Sequence, residues 1–237
     1  MDIYLFSDAH FGFSKDETEK FQKYKALMDK VKKSAGKFII IGDLFDFWFE
    51  YESVIFSNYF SVLAELYEVS KHVETIYIAG NHDLWIGKFF KNLNIKTVIG
   101  TYELPVNGRK IYIAHGDDLK FRIKTRDILR NKLLTFLFKQ IHPDIGIKIA
   151  KFVSKVSRKA HNSYPLSIPE WLWKYVEIKN IEILIVGHLH SPIYEERNGR
   201  KVACIGDWLN HFTYGVIKDN KLMVLNIDDS IVYALNL

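Results

Sequence analysis

Apolar positions follow two rhythms along the chain. Strand-like segments occur at Ile3–Ser7, Glu74–Ala79 and Ile95–Ile99, and apolar runs of strand length at Lys37–Ile41, Lys110–Ala114 and Ile181–Val186. Such runs mark strands covered on both faces. Between the segments at Ile3 and Lys37, Phe21, Tyr24, Leu27, Met28 and Val31 repeat at helical spacing, which predicts a helix from Asp16 to Ser34 with Gly36 ending it. A second helix is expected over Val54–Val69. Asn107-Gly108 reads as a turn before the Lys110 strand, and Asp219-Asn220 as a hairpin turn between Tyr214–Ile217 and Leu222–Ile227. Strands alternating with helices imply a layered, partly parallel α/β sheet.

From about residue 118 to 176 the rhythm changes. Ile128, Leu129, Leu133, Leu137 and Ile141 keep helical spacing, and Pro143 opens a further helix carrying Ile145, Ile149, Phe152, Val153 and Val156. The expected organisation is one domain over residues 1–237 with a helical insertion at 118–176, whose apolar stripes pack its own helices together. Between Asp118 and His161 there are twelve Lys/Arg against three Asp/Glu, whereas the whole chain of 237 residues carries only +5. The remainder is therefore slightly acidic, and the insertion is the part that favours anionic partners.

Composition excludes several classes. Hydrophobic residues make up 48% and charged residues 26%, which rules out a wholly disordered or fibrous chain. Apolar runs fall far short of the ~20 residues of a membrane span. One cysteine, Cys204, permits neither a disulfide framework nor a thiolate metal cluster. With no basic, long-apolar leader pattern at the start, a cytoplasmic, reduced setting is expected.

Five polar motifs follow the predicted strands: Asp8-Ala9-His10, Gly42-Asp43-Leu44-Phe45-Asp46, Gly80-Asn81-His82-Asp83, His115-Gly116-Asp117 and Gly187-His188-Leu189-His190. In open α/β sheets the loops at the carboxyl ends of parallel strands face one crevice. Carboxylates, imidazoles and an amide gathered there are oxygen and nitrogen donors suited to hard or borderline divalent ions. In extended chain, residues i and i+2 share a side, so Asp8 with His10, and His188 with His190, are expected to grip together. A lone Asp after Gly is usually a turn or cap, and a lone His usually a surface or satisfied core residue. His72, His142, His161 and His211 fall under that plain reading; Phe47, Trp48 and Phe49 are read as packing.

The ordered set of motifs resembles the calcineurin-like metallophosphoesterase superfamily. The resemblance implies mixed β-sheets layered between helices, and two divalent ions, with magnesium, iron or zinc as alternatives to manganese. It implies Asp8, His10, Asp43 and His190 on one ion and Asp43, Asn81, His115 and His188 on the other, with Asp43 bridging. His82 would be the catalytic acid or charge stabiliser beside the phosphate, and Asp83 would orient it; Asp46 and Asp117 would stand behind the ligands.

Within that superfamily, the run from Gly42 to Phe49 and the stretch from His142-Pro143-Asp144-Ile145-Gly146 to Ser157-Arg158 look like the bacterial UDP-2,3-diacylglucosamine pyrophosphohydrolases. That resemblance implies hydrolysis of the substrate's pyrophosphate to UMP and 2,3-diacylglucosamine 1-phosphate in lipid A assembly, usually with manganese. A helical cap would receive the acyl chains. Better-known members carry arginine where this chain has His82. A basic, amphipathic insertion suits a diacylated diphosphate and an anionic membrane face, so peripheral association with the inner membrane is expected. Arg158, Lys155 and Lys159 are candidate phosphate contacts, since a guanidinium binds phosphate oxygens in a fork. Neither nucleic acid nor an obligate protein partner is expected. Two alternatives stay open: an enzyme for another phosphodiester, and a binding or scaffold protein on the same fold.

Overall fold

The computed structural model of the chain describes residues 1–12, 17–83, 85–120, 131–149, 152 and 164–237. Strands β1 (Asp2–Phe6), β2 (Ala35–Ile41), β3 (Glu74–Ile78) and β4 (Ile95–Val98) run parallel. The neighbours on the other side of β1 are antiparallel: β10 (Thr213–Lys218), β11 (Lys221–Asn226) and β12 (Ile231–Asn236). Together they form a seven-stranded sheet in the order β12-β11-β10-β1-β2-β3-β4. A second sheet has the order β5-β6-β7-β9-β8, built from Tyr102–Val106, Arg109–Ala114, Ile183–Val186, Arg200–Ile205 and Pro192–Arg197 respectively. Its three central strands, β6, β7 and β9, are parallel.

Alternation along each strand divides the core into layers. Leu5, Ile39, Ile41, Ile76 and Ile78 face Ile111, Ile113, Ile183, Ile185 and Ile205 between the two sheets. The residues between them face outward: Phe6, Phe38, Ile40 and Tyr77 meet helices α1 (Glu17–Ser34) and α2 (Phe60–Ser70). On the opposite side Leu184, Val186, Val202 and Cys204 pack beneath Leu172, Trp173 and Val176. Both sheets are therefore mixed and sandwiched by helices, which is the fold class expected. Each fully buried aliphatic side chain contributes about 1.5–3 kcal/mol, so the inter-sheet layer and the two layers under the helices together hold the sandwich.

Some local expectations are corrected. Gly36 is not a helix cap: α1 ends at Ser34 and the chain enters β2 directly, with Gly36 inside the strand against Met1. The second helix starts later than Val54, because a 3₁₀ turn at Ser57–Tyr59 precedes it. A short helix α3 at Phe89–Asn92 precedes the insertion; from there on α4 spans Lys132–Lys139, α5 spans 143–149, and α6 spans Glu170–Ile178. Pro143 is the first helical residue of α5, with the His142 carbonyl accepting from Ile145 and Gly146. Of the expected apolar stripe, Ile128, Leu129, Val153 and Val156 lie outside the described residues. Leu133, Phe136, Leu137, Ile145, Ile149 and Phe152 are exposed. Phe138 and Ile147 pack instead against the main core, Phe138 lying 4.5 Å from Phe49 and 6.0 Å from Phe47 between ring centroids.

Cys204 is fully buried in β9, its Sγ 3.4 Å from the Gly187 carbonyl, and burial pushes its thiol up to about 12. At pH 8.5 that leaves ~1000-fold less thiolate than in the unfolded chain. Disulfide-exchange labelling followed by absorbance should therefore be negligible in native protein and complete in denaturant; rapid native labelling would contradict the packing.

Candidate active site

Six of the parallel strands, β1, β2 and β3 of one sheet and β6, β7 and β9 of the other, bring their carboxyl ends to one edge of the sandwich. The segments after β1, β2, β3, β6 and β7 carry Asp8/His10, Asp43/Asp46, Asn81/His82/Asp83, His115/Asp117 and His188/His190. They are brought together by backbone turns and not by extended chain. Asp8, His10, Asp43, His188 and His190 all adopt positive φ, between 46° and 60°. The i, i+2 argument from extended geometry is thus corrected: paired left-handed turns, not strand alternation, send both side chains of each motif into the crevice. Non-glycine residues in this region cost of order 1–3 kcal/mol each and persist where the surroundings hold them.

The surroundings do hold them. Asp8 N donates to Gly42 O at 3.2 Å and His10 N to Asp43 O at 2.9 Å. The buried Lys20 ammonium donates to the carbonyls of Ala9 and His10 at 3.0 and 2.9 Å and pairs with Glu17. Two glycines allow the close approach of the loops. A Cβ at Gly80 would overlap the Asp43 carboxylate, and one at Gly187 would overlap Ser7 Oγ and reach within 2.6 Å of Asp8 Oδ2.

The result is a tight cluster of acceptors. Asp8, His10 and His190 form one group whose ligand atoms lie within 4.8 Å of one another; Asp8, Asp43 and His115 form a second; His10, Asp43 and His82 a third. His190 Nε2 is 3.5 Å from Asp8 Oδ1, and His10 Nε2 is 3.9 Å from Asp8 Oδ1 and 3.8 Å from Asp43 Oδ2. His115 Nε2 is 3.3 Å from Asp43 Oδ2 and 3.2 Å from Asn81 Oδ1. His188 donates its amide to Asp8 Oδ2 at 2.9 Å, and its ring stands edge-on to His115 at 5.1 Å. The structure thus gathers all seven residues expected to hold ions.

Outer atoms orient these rings. His115 Nδ1 donates to Ile41 O at 2.8 Å, which turns Nε2 toward Asp43. Asp46, fully buried, sets Oδ1 3.6 Å from His10 Nδ1. His82 Nδ1 donates to the backbone carbonyl of Asp46 at 2.6 Å. That corrects one expectation: the Asp46 carbonyl, not the Asp83 carboxylate, orients the His82 ring. Asp83 turns inward, accepting from Tyr77 Oη at 2.6 Å and from Gly80 N. Asp117 lies in the turn after His115 and acts on that ring through its charge.

The electrostatics describe a cluster short of positive charge. Burial, with Asp43 beside it, pushes Asp83 up to about 7, and burial raises Asp8. Burial opposes the charges of Asp43 and His115, but their mutual attraction wins, holding Asp43 well down and His115 well up. Burial keeps His10 and His188 neutral. Neutral imidazoles and ionised carboxylates are the states a metal requires. Asp8 Oδ1 and both ring nitrogens of His10 are buried without a hydrogen-bond partner. A carboxylate oxygen and an imidazole left unsatisfied among converging loops fit a divalent cation.

One residue at this edge escaped the sequence reading. Asp207 follows β9, is fully buried, and sets Oδ2 3.4 Å from His190 Nδ1. Its signal was present: Ile205-Gly206-Asp207 repeats the apolar-Gly-Asp pattern of Ile41-Gly42-Asp43. His211, read as a surface or satisfied core histidine, contacts the same carboxylate. Trp48 and Phe49 are buried packing residues, as expected, and Phe47 is half-buried against Trp85. Arg158, Lys155 and Lys159 lie outside the described residues.

Comparison with known proteins agrees with this geometry. The calcineurin-like phosphoesterase family profile matches residues 1–192, and the chain belongs to that family. It is 26% identical to a UDP-2,3-diacylglucosamine hydrolase of Porphyromonas gingivalis, over 96% of this chain and 98% of the relative. It is 30% identical to the protein of the same name from Neisseria meningitidis, over 88% of this chain and 90% of the relative. Among solved structures, Yfce, a phosphoesterase from E. coli, superposes with a TM-score of 0.54 at 15% identity, covering 100% of this chain and 99% of Yfce. The last likeness concerns the fold alone.

Proposed function

We propose that the chain is a two-metal hydrolase that splits the pyrophosphate of UDP-2,3-diacylglucosamine into UMP and 2,3-diacylglucosamine 1-phosphate in lipid A biosynthesis. The observation that carries the reaction class is the convergence of seven buried or half-buried donors on one edge of the sandwich, with Asp8 and His10 atoms left unsatisfied. The substrate rests on relatives that share the chain's length and bear that hydrolase's name.

In this reading Asp8, His10, Asp43 and His190 hold one ion, and Asp43, Asn81, His115 and His188 the other; manganese is the expected metal. When bound, the pair supplies an activated water near neutral pH and neutralises charge on phosphoryl oxygens. The chain's own residues do the rest. Asp43 lies between His10 and His115 and so joins the two halves of the site. His82 has its Nδ1–H committed to Asp46 O, which leaves Nε2 as the atom that donates to the departing oxygen when the ring is protonated. The loops from two sheets converge here, so the phosphate group is oriented against groups that are already held in place.

Residues 118–176 act as a cap in this account, and they present the chain to a membrane surface. Leu133, Phe136 and Leu137 of α4 and Ile145 and Ile149 of α5 are exposed, with exposed Lys139 and Lys148 among them. An apolar face studded with lysines binds an anionic bilayer interface without spanning it. Among the described residues no helix is long and apolar enough to cross a membrane.

Purified chain with manganese and UDP-2,3-diacylglucosamine should release UMP, read by chromatography. His82→Ala should lower kcat by ~10²–10⁴-fold with bound metal retained, whereas Asp43→Ala should abolish turnover and reduce bound metal by elemental analysis. Cleavage of a simple phosphodiester without UMP release would refute the substrate, and full turnover in either variant would refute the roles. Sedimentation with anionic vesicles should capture the chain, and Leu133→Glu with Leu137→Glu should reduce that capture several-fold; equal capture would refute the membrane face.

A further inference from the structure

The loop after β9 is the sixth strand end at the active edge, and none of the five motifs includes it. Its Asp207 carboxylate is fully buried and has two separate duties, one for each oxygen. Oδ1 accepts from the amides of Asn210 and His211 at 3.1 and 2.9 Å and faces His211 Nδ1 at 3.1 Å. Oδ2 is turned the other way, 3.4 Å from Nδ1 of His190. The loop itself is tied to the site: Trp208 N donates to Asp8 O at 3.1 Å, and Thr213 N closes the turn onto Asp207 O at 3.0 Å. Tyr164 packs on the far side, with its ring 5.3 Å from that of His211 and its hydroxyl accepting from Asn210.

This arrangement determines which atom of His190 is available. A carboxylate can only accept, so the 3.4 Å approach of the otherwise unpartnered Oδ2 places a hydrogen on His190 Nδ1, and Nε2, 3.5 Å from Asp8 Oδ1, is the atom left to face a cation. We propose that Asp207 is a positioning residue for His190, held in that role by His211, so that the β9 loop fixes the tautomer and direction of one metal-facing imidazole. The proposal rests on the two-ion reading above and extends it to a strand end outside its ligand set. His211 thereby gains a purpose of its own, because a carboxylate with three N–H groups on Oδ1 cannot rotate away from His190.

Asp207→Asn separates this role from a merely structural one. The asparagine oxygen can still accept the Asn210 and His211 amides, so the turn survives. Its NH₂ group then faces the hydrogen on His190 Nδ1. The imidazole is driven to the other tautomer, and the lone pair at Nε2 is lost. The full chain loaded with manganese is dialysed against graded chelator, and retained metal is read by elemental analysis. Asp207→Asn should release one ion at roughly 10–100-fold lower chelator, while its thermal midpoint in excess chelator stays that of the unaltered chain. On the diphosphate substrate, kcat should fall and KM stay within about twofold. His211→Phe leaves residue 207 intact and should weaken retention a few-fold in the same assay. Metal retention equal to the unaltered chain in folded Asp207→Asn overturns the proposal, and if that variant does not fold, His211→Phe decides by the same criterion. Failure of the unaltered chain to retain manganese overturns the two-ion reading instead.

Discussion

Everything at the active edge depends on crowding lone pairs without enough protons to go round. Asp8 and Asp43 are buried carboxylates within reach of His10, His115 and His190. Removing such groups from water costs several kcal/mol each unless a positive charge compensates. In the absence of a cation the compensation is a proton on His115, which Asp43 and Asp8 hold there against burial. A divalent ion does this better, because it engages several acceptors at once and leaves the imidazoles neutral. The site is thus a geometry whose own electrostatics ask for a metal.

That geometry is maintained against backbone preference. Five ligand positions sit at positive φ, and the sandwich supplies the constraint. Lys20 from α1 clamps the turn carrying Asp8 and His10, while Gly80 and Gly187 let opposing loops come into contact. Four of the five imidazoles have a group behind them: Asp46 behind His10, the Ile41 carbonyl behind His115, Asp207 behind His190, and the Asp46 carbonyl behind His82. Rings oriented from behind are held in direction, and that order is what lets distant strands share one bridging carboxylate.

Much of this was legible before any coordinates. Strands such as Lys37–Ile41 announce themselves because burial on both faces removes polar alternation. Motifs placed after them are readable because parallel strands deliver their carboxyl ends to one edge. What escaped was set by tertiary context. β8 carries Tyr194, Glu195 and Glu196 on a sheet edge and shows no buried run. The role of Asp83 depended on Tyr77 lying beneath it, and that of Asp207 on β9 joining the same parallel set as β6 and β7. The insertion's stripe has helical spacing whether it faces a neighbouring helix, a lipid or water, so its period alone could not say which.

The most direct test is anomalous diffraction from crystals grown with manganese. The account predicts two peaks ~3.5–4 Å apart, both in contact with Asp43, one beside His10 and His190 and the other beside Asn81 and His115. A single peak, or peaks away from Asp43, would contradict it.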